Sequence, residues 1–391
     1  MKLLIVIPAL NEEDAIRSII ERCLTARDEI VEKTNVAEVD VTVVSDGSTD
    51  ATVAIAELFT ESINLIIFPQ NKGYGAAIQE AWRQSDADYL SFLDADGTCD
   101  PRFFTTLIKA LEEEQADIAL GCRLTDRSEM PALRRFGNEV FAMILRAFSS
   151  RNVRDTASGM RIIRRSSLRK LMPLPPGLNF TPAMSARAVL SDDITIVERD
   201  MEYKERIGDS KLRPLKDGIR FLWDIVRAAL IYRPSRVLGF MAIFCVMIAI
   251  AIMIYPVVFY SQNMRVQEWM IYRFIVAELF GLSAVMMICA GYVGTRISNL
   301  MLGNRAHRTI TAKIFRSRKF YLIPIVLTLS GSALVYGSVV DYLTTGQVIE
   351  HWSRFIVVSF LFSCAILLVI TKILDNILEL VRDRQSFLEN Y

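Results

Sequence analysis

An apolar stretch without a charged residue, at 237–259, limits what this chain can fold into more than any other feature. A helix needs about 20 apolar residues to cross the hydrocarbon core of a bilayer, and this stretch is long enough. Three further stretches are predominantly apolar, at 274–294, which contains Glu278, at 321–340 and at 355–371. With 52% hydrophobic residues and a mean hydropathy of +0.30, the composition is also too apolar for a wholly soluble protein. The sequence therefore predicts an integral membrane region at 235–391 with four spanning helices.

Basic residues are unevenly distributed between the connections of this region. The loops at 261–270 and 344–352 contain only Arg265, whereas the segment at 303–319, between the second and third predicted spans, contains six basic residues. The six are Arg305, Arg308, Lys313, Arg316, Arg318 and Lys319. Because connections rich in Lys and Arg stay on the cytoplasmic side, we expect this connection, the first 212 residues and the C-terminal tail to face the cytoplasm.

Residues 1–212 alternate short apolar runs with amphipathic segments, which is typical of an α/β domain with a mostly parallel sheet. The runs predicted as strands are Leu3–Ile7, Val41–Val44, Ile63–Phe68 and Tyr89–Leu93. In open sheets of this kind, ligands bind beyond the carboxyl ends of the strands. The loops expected there are Pro8–Glu12, Asp46–Asp50, Lys72–Gly75 and Asp94–Thr98.

An amphipathic segment at 213–234 lies between this domain and the first predicted span. The apolar residues of one face are Leu215, Ile219, Leu222, Val226, Ala229 and Leu230. The basic residues off that face are Lys216, Arg220 and Arg227. This pattern predicts a helix that lies in the membrane interface, and a helix packed in the core of the domain is the alternative.

The fourth apolar run ends at two carboxylates, Asp94 and Asp96, which lie two residues apart and therefore on the same side of extended backbone. Mg2+ and Mn2+ take oxygen ligands and keep open positions, so such a pair can bind a metal that also contacts a diphosphate. The alternative for Asp-x-Asp alone is a strand followed by a solvated acidic turn. The neighbouring loops decide between the two interpretations.

Four segments occur in order within the first 100 residues: VIPALNEE, VSDGSTD, NKGYGAA and LDADGT. Downstream follow GCRLTDR at 121–127, RRFGN at 134–138, RDTASGMRIIRR at 154–165 and KERIGDSKL at 204–212. Together they resemble the successive motifs of family 2 inverting glycosyltransferases with the GT-A fold, a Rossmann-like α/β architecture. The downstream set is similar to the polyprenyl-phosphate branch, which includes the dolichol-phosphate mannose synthases. The resemblance covers about 230 residues.

The resemblance implies roles for individual residues and a divalent cofactor, Mg2+ or Mn2+. Residues implied to hold the nucleotide sugar are Pro8, Leu10, Glu12, Val44, Asp46, Asp94, Ala95, Asp96, Arg123, Arg206 and Lys211. Residues implied to meet the acceptor phosphate are Arg135, Arg206, Ser210 and Lys211. The implied metal ligands are Asp94, Asp96 and Thr98, with Thr98 standing where mannose synthases often carry Gln. The implied catalytic residues are Asp94, Asp96 and Arg206.

The resemblance implies transfer of a hexose from a nucleotide sugar, with GDP-mannose favoured over UDP-glucose, to a polyprenyl or dolichyl monophosphate at the membrane. The residues agree with an acceptor that supplies its own nucleophile, because only His307 and His351 are present and a histidine base is not expected. Alternatives are a processive polysaccharide synthase, although no Gln-x-x-Arg-Trp motif occurs, and a catalytically silent sugar-nucleotide-binding scaffold. The net charge of +1 argues against a nucleic-acid partner, and assembly into a homo-oligomer stays open.

Overall fold

The computed structural model describes residues 1–126, 128–149, 151, 153–207, 211, 213–302, 310–348 and 350–389. Two units can be distinguished, Met1–Ala229 and Leu230–Tyr391. The predicted acceptor residue Ser210 and part of the basic connection at 303–319 lie outside the described residues.

One sheet of seven strands organises the first unit. Its strands are β1 (Lys2–Ala9), β2 (Glu38–Asp46), β3 (Asn64–Phe68), β4 (Tyr89–Phe92), β5 (Ile118–Cys122), β6 (Arg161–Arg164) and β7 (Ile196–Asp200). The spatial order is β3-β2-β1-β4-β6-β5-β7. Only β6 runs antiparallel to its neighbours β4 and β5, and the remaining pairs are parallel. The predicted α/β fold with a mostly parallel sheet is confirmed.

Eight helices belong to this part of the chain. They are α1 (Ile16–Lys33), α2 (Thr52–Glu57), α3 (Tyr74–Gln84), α4 (Phe104–Glu113), α5 (Ala132–Phe148), α6 (Arg165–Leu171), α7 (Phe180–Leu190) and α8 (Pro214–Tyr232). Alternate residues of β1 point to opposite faces of the sheet. Leu3 and Ile5 join the core formed with α1 and α4, whereas Leu4 and Val6 join the core formed with α3 and α7. Helices on both faces leave only the ends of the parallel strands open for ligands.

Helix α8 has an apolar surface on two sides. Phe221 and Ile225 are buried, whereas Ile219 and Trp223 are 71% and 62% exposed. The face predicted from the sequence is therefore mostly the exposed one, and its apolar character suits a membrane interface. A second face of the same helix packs on the domain, and the position of the exposed face in a membrane interface stays a prediction.

The second unit is helical in its described residues. Its helices are α9 (Pro234–Asn263), α10 (Ile271–Leu302), α11 (Ile310–Phe315), α12 (Leu322–Thr345) and α13 (Trp352–Glu389). Four of them are long and apolar enough to cross a membrane. They contain the four predicted spans, except that Tyr321 precedes α12 in a short 3-10 turn. Helix α13 continues well past the predicted end at 371, because no Gly or Pro interrupts it.

Candidate active site

A cavity of about 610 Å3 lies at the carboxyl ends of β1, β2 and β4. The loops after these strands contribute Glu12, Asp46, Asp94 and Asp96 to its lining. Helices α1 and α3 lie on opposite faces of the sheet, and a crevice at this position is the usual binding site of an α/β fold. The structure thus brings together acidic residues from three of the four loops that the sequence places at this edge, and the fourth loop contributes Gly73 and Tyr74 to the lining.

Asp94 is held from two directions. Its Oδ1 accepts a hydrogen bond of 2.7 Å from the Tyr74 hydroxyl. On the other side it packs on Gly159, where an added Cβ would lie 2.0 Å from Asp94 Oδ2. Burial, together with the neighbouring charge of Asp96, raises the pKa of Asp94 to about 6. A cation in the cavity would relieve the cost of keeping this carboxylate ionised.

Asp96 connects the turn after β4 to a basic side chain. Its Oδ1 accepts a hydrogen bond of 2.7 Å from the Thr98 hydroxyl, and its Oδ2 lies 3.4 Å from Arg206 Nη1. Thr98 is only 1% exposed, so its hydroxyl is buried and is used in the hydrogen bond to the Asp96 carboxylate. This arrangement orients Asp96 toward the cavity.

Arg206 lies between two carboxylates. Its Nη2 donates to Glu12 Oε1 at 2.6 Å, while its Nη1 faces Asp96. Burial raises the pKa of Glu12, and the charge of Arg206 partly offsets that effect. The Arg206 Nε is buried and has no hydrogen-bond acceptor among the described residues. A guanidinium with an unmet donor in this position can bind a further anionic oxygen.

The segment at 203–207, called the strap below, crosses the turn after β4. The amide of Lys204 donates to the Thr98 carbonyl, and the amide of Ile207 donates to the Asp96 carbonyl, both at 3.1 Å. Two backbone hydrogen bonds therefore fix Arg206 next to Asp96. Farther along the chain, Lys211 Nζ donates to the Asn11 carbonyl at 3.1 Å, and the residue is exposed.

Asp46 is fixed by the loop that precedes α3. Its carboxylate accepts the amides of Lys72 at 2.7 Å and Gly73 at 2.9 Å. Gly73 has a φ of +108°, and an added Cβ would lie 2.4 Å from the Pro176 carbonyl oxygen. Burial raises the pKa of Asp46, and the two amides oppose that effect. Position 73 thus requires glycine, because of its positive φ and its close approach to the Pro176 carbonyl.

A buried ion pair supports the cavity from behind. Arg123 donates to both oxygens of Asp155, through Nε at 2.7 Å and Nη2 at 2.9 Å. Asn138 of α5 donates to the same carboxylate at 2.7 Å. Burial disfavours ionisation of Asp155, but Arg123 and these hydrogen bonds leave its pKa below the ordinary value. The network joins the end of β5 to α5.

Part of the cavity lining, called the apolar wall below, comes from α5, α8 and nearby loops. Its apolar residues are Met130, Leu133, Phe136, Phe141, Leu178 and Phe221, and Arg134 and Arg220 of the same two helices also line the cavity. Phe141 of α5 and Phe221 of α8 meet edge to face, with ring centroids 6.1 Å apart. Leu133 and Phe136 are 64% and 65% exposed. The cavity therefore has a charged side at the strand ends and an apolar side between two helices, which suits a ligand with both characters.

Comparison with known proteins identifies the family. A model described as "Glycosyl transferase family 2" matches residues 4–172. The dolichyl-phosphate hexose transferase of Haloferax volcanii is 30% identical over 237 residues, which cover 58% of this chain and 94% of that protein. The chain belongs to glycosyl transferase family 2.

Two further relatives match over a smaller share of their own length. The low-salt glycan biosynthesis hexosyltransferase Agl6 of Haloferax volcanii is 32% identical over 59% of this chain and 54% of that protein. The dolichyl-phosphate beta-glucosyltransferase of Drosophila melanogaster is 30% identical over 44% of this chain and 57% of that protein. The match thus spans little more than half of these two curated relatives.

Among solved structures, glucosyl-3-phosphoglycerate synthase of Mycobacterium tuberculosis, in complex with Mn2+, UDP-glucose and phosphoglyceric acid, is similar with a TM-score of 0.44. The sequence identity is 19%, and the similarity covers 58% of this chain and 79% of that chain.

Most residues assigned by resemblance to family 2 line the cavity. They are Pro8, Leu10, Glu12, Asp46, Asp94, Ala95, Asp96, Arg123, Arg206 and Lys211. Among the described residues, Val44, Thr98 and Arg135 do not line it. Val44 points into the core beside α3, and Arg135 donates to the Thr125 carbonyl at 2.9 Å. The structure therefore does not place the side chain of Val44 or Arg135 where it could contact a ligand in this cavity.

Several residues of this family 2 site have no assigned role in the sequence. Tyr74 and Gly159 contact Asp94, Asp155 contacts Arg123, and Asn138 contacts Asp155. Each of these residues lies inside one of the motifs quoted above. The motifs do not show which residue each of them contacts, because the contacts join residues far apart in the chain.

Proposed function

We propose that this protein transfers a hexose, with inversion, from a nucleotide sugar to the phosphate of a polyprenyl or dolichyl lipid at the cytoplasmic face of a membrane. The observation that carries the proposal is the two-sided cavity, in which carboxylates and Arg206 face the apolar wall between α5 and α8. A nucleotide sugar suits the charged side, and a lipid phosphate needs both sides. Relatives named as dolichyl-phosphate transferases support the same acceptor class.

The nucleotide would lie over the ends of β1 and β2. Pro8, Leu10 and Glu12 from the first loop and Asp46 from the second line that part of the cavity. Carboxylates suit the hydroxyls of a ribose and the N–H groups of a base, because an ionised carboxylate only accepts hydrogen bonds. Asp46 already accepts two amides, so it would bind the base with its remaining lone pairs.

The residues fit a divalent cation at Asp94 and Asp96. The described residues contain no cluster of three or more His, Cys, Asp or Glu, so oxygens of a diphosphate and of water would complete the coordination. The buried carboxylate of Asp94 favours a cation nearby, and hard oxygen ligands match Mg2+ and Mn2+. Such an ion would stabilise the negative charge of the leaving diphosphate. Thr98 would act by orienting Asp96 through its hydroxyl.

The acceptor needs orientation more than deprotonation. The second pKa of a phosphate monoester is about 6, so a lipid phosphate is mostly dianionic at neutral pH. Its oxygen can attack the anomeric carbon from the side opposite the leaving diphosphate, which inverts the configuration. Arg206 lies where an acceptor phosphate and a donor diphosphate would meet, and its unmet Nε is available to one of them.

The donor remains to be chosen between GDP-mannose and UDP-glucose. The motif resemblance favours the mannosyl donor, whereas relatives named as glucosyltransferases add weight to the glucosyl donor. A direct assay decides: the purified full-length protein is incubated with Mn2+, a polyprenyl phosphate and each radiolabelled sugar nucleotide. We expect label in the organic phase from one donor, only when the lipid is present. Label that depends on neither lipid nor protein, or no transfer from any donor, would refute the proposal.

A further inference from the structure

A charged cluster lies where α10 and α13 meet in the second unit. Asp375 is 1% exposed and accepts hydrogen bonds from the Tyr292 hydroxyl at 2.7 Å and Lys372 Nζ at 3.0 Å. Arg296 Nε lies 3.0 Å from the same carboxylate. Lys372 also donates to the Phe315 carbonyl at 3.1 Å. Ionisable groups in a membrane-type helical unit are costly to bury and commonly have a function.

The cations in this cluster outnumber the acids. Among the described residues, Asp375 is the only acid paired with Arg296 or Lys372. One carboxylate therefore faces two cations, Arg296 and Lys372. The surplus is positive, and a buried surplus of this sign favours binding of an anion.

Arg296 has unmet hydrogen-bond donors. Its side chain is 11% exposed, and its Nε and Nη2 are buried without an acceptor in hydrogen-bond geometry among the described residues. The contact between Nε and Asp375 is close enough for an ion pair, but its N–H does not point at the oxygen. Buried guanidinium donors without acceptors are unfavourable. Phosphate oxygens match the fork of a guanidinium better than most other ligands.

The cluster lies at the depth of lipid headgroups if the second unit spans a membrane. The sequence places the ends of two spans at 294 and 371, so Arg296, Lys372 and Asp375 follow those ends within about one helical turn. Basic sites between helices at the cytoplasmic side are suited to phosphate headgroups.

Stacked aromatic rings hold a basic segment beside the cluster. Tyr292 stacks on Phe315 with centroids 4.4 Å apart, and Phe315 stacks on Phe320 at 4.8 Å. Lys313 and Lys319 of this segment are exposed. The stack therefore keeps further cations near the cluster, where they can meet a lipid surface.

We propose that Arg296 and Lys372, with Asp375 between them, form a binding site for the phosphate group of a membrane lipid, separate from the cavity of the first unit. The proposal rests on the membrane placement proposed above for the second unit. The lipid is either a bulk anionic phospholipid or a polyprenyl phosphate, because both present the same phosphate chemistry. In either case the bound phosphate supplies acceptors for the unmet donors of Arg296.

Native mass spectrometry of the full-length protein in detergent can test the site. Phosphatidylglycerol and a polyprenyl phosphate are titrated separately, the latter in an Arg206→Ala background that weakens the proposed acceptor site. We expect Arg296→Gln and Lys372→Gln to weaken binding of at least one lipid by about tenfold or more, as for loss of a charge-assisted contact. Arg273→Gln, near the other end of α10, is the matched control and should bind both lipids as the wild type does.

The pattern of losses has a defined meaning. Weaker binding of phosphatidylglycerol assigns the site to bulk lipid, and weaker binding of polyprenyl phosphate alone assigns it to the acceptor lipid or its product. Unchanged affinity for both lipids in Arg296→Gln and Lys372→Gln would overturn the proposal. So would an equal loss in the Arg273→Gln control.

Asp375→Asn separates a phosphate site from a purely structural ion-pair cluster. Removing the only paired acid raises the positive surplus, so lipid affinity should rise or stay unchanged even if the melting temperature falls. A fall in affinity as large as that of Arg296→Gln would show a structural role and refute the site. Failure of the membrane placement itself has a different signature, because the protein would then stay in the supernatant when lysate without detergent is centrifuged.

Discussion

Asp94 and Asp96 lie two residues apart, yet their surroundings differ. Asp94 is enclosed between the Tyr74 hydroxyl and the backbone of Gly159, whereas Asp96 faces Arg206 across the cavity. Asp94 is enclosed and has a fixed position, whereas Asp96 Oδ2 is 3.4 Å from Arg206 Nη1, a distance at which a metal could replace this contact. On this basis Asp96 is the carboxylate that would contribute most to holding a divalent cation against the leaving diphosphate.

Asp96→Asn should remove metal-dependent transfer while leaving the fold intact. The amide keeps the shape of the side chain but loses the charge that holds a divalent cation, and the cation supplies several kcal/mol to the transition state. We expect a loss of roughly hundredfold or more in kcat/KM at saturating Mn2+. The melting temperature serves as the control for folding. Near-normal turnover would show that the metal role assigned to Asp96 is wrong.

Asp94 should make the metal-free protein less stable as pH rises from about 4 to about 6. Its pKa is about 6 in the folded protein and about 3.9 in an unfolded chain, so between these values the folded state binds the extra proton. Folding stability then falls with rising pH, by at most about 1.4 kcal/mol per pH unit for one group.

Urea unfolding of the full-length protein in detergent with EDTA, followed at several pH values, measures this slope. Asp94→Asn carries no titrating group at this position and should show a shallower dependence between pH 4 and 6. The prediction fails if the wild type and the variant have the same slope.

At the scale of single residues, spacing and resemblance place Glu12, Asp46, Asp94 and Asp96 at one edge of the sheet, and the structure confirms that position. Pairing between distant residues is not visible in spacing. The Arg123–Asp155 pair occupies an arginine that the resemblance implies for phosphate, so this residue is already neutralised. Ser210 lies outside the described residues, so its contact with the acceptor phosphate stays a prediction.

At the scale of elements, the strap and the turn after β4 form one unit, because two backbone hydrogen bonds join them. Arg206→Ala and Lys211→Ala should therefore differ. Arg206 is paired with Glu12 and Asp96, and its loss from a charge-assisted site should cost about 2 to 5 kcal/mol in transition-state stabilisation. Lys211 is exposed and contacts one carbonyl, so its loss should cost about 1 kcal/mol or less.

Transfer rates measured against lipid-phosphate concentration test this difference. Wild-type transfer rates in Arg206→Ala would show that the strap only links the two parts of the chain and does not bind a phosphate. A defect confined to nucleotide binding would instead move Arg206 to the donor diphosphate. Equal and large defects in both variants would show that Lys211 also meets a phosphate.

The order of strands and helices in the first hundred residues could be predicted, since each apolar run is bounded by turn residues. Strand length was harder: β2 spans Glu38–Asp46 rather than Val41–Val44, because it pairs with β1 along its whole length. That pairing also fixes the side on which Val44 lies, which is the core beside α3. The antiparallel direction of β6 depends on the path of the chain between β5 and β6, and no local pattern encodes that path.

At the scale of the whole molecule, the chain combines a ligand cavity in its first unit with long apolar helices in its second unit. Residues in the first unit supply the charged and apolar sides of one cavity, and four helices of the chain are long and apolar enough to cross a membrane. The exposed apolar face of α8, with Ile219 and Trp223, stands between them in the sequence. The proposed lipid acceptor would account for these features together, because the phosphate of the lipid needs a polar site and its hydrocarbon tail needs apolar surroundings.

The orientation of the four helices follows from charge. Positive-inside bias predicts that the basic connection at 303–319 faces the cytoplasm and that the loop at 344–352 lies outside.

Lys313→Cys and Thr345→Cys place reporters at exposed positions in these two segments. The six native cysteines are buried, so they should react slowly and can be corrected with the unsubstituted protein. In intact cells, a membrane-impermeant maleimide should label Thr345→Cys only, and lysis should expose Lys313→Cys. Labelling in the opposite order would invert the predicted orientation and move the proposed transfer to the outer face. Equal access to both positions would contradict the prediction that one span, α12, separates them.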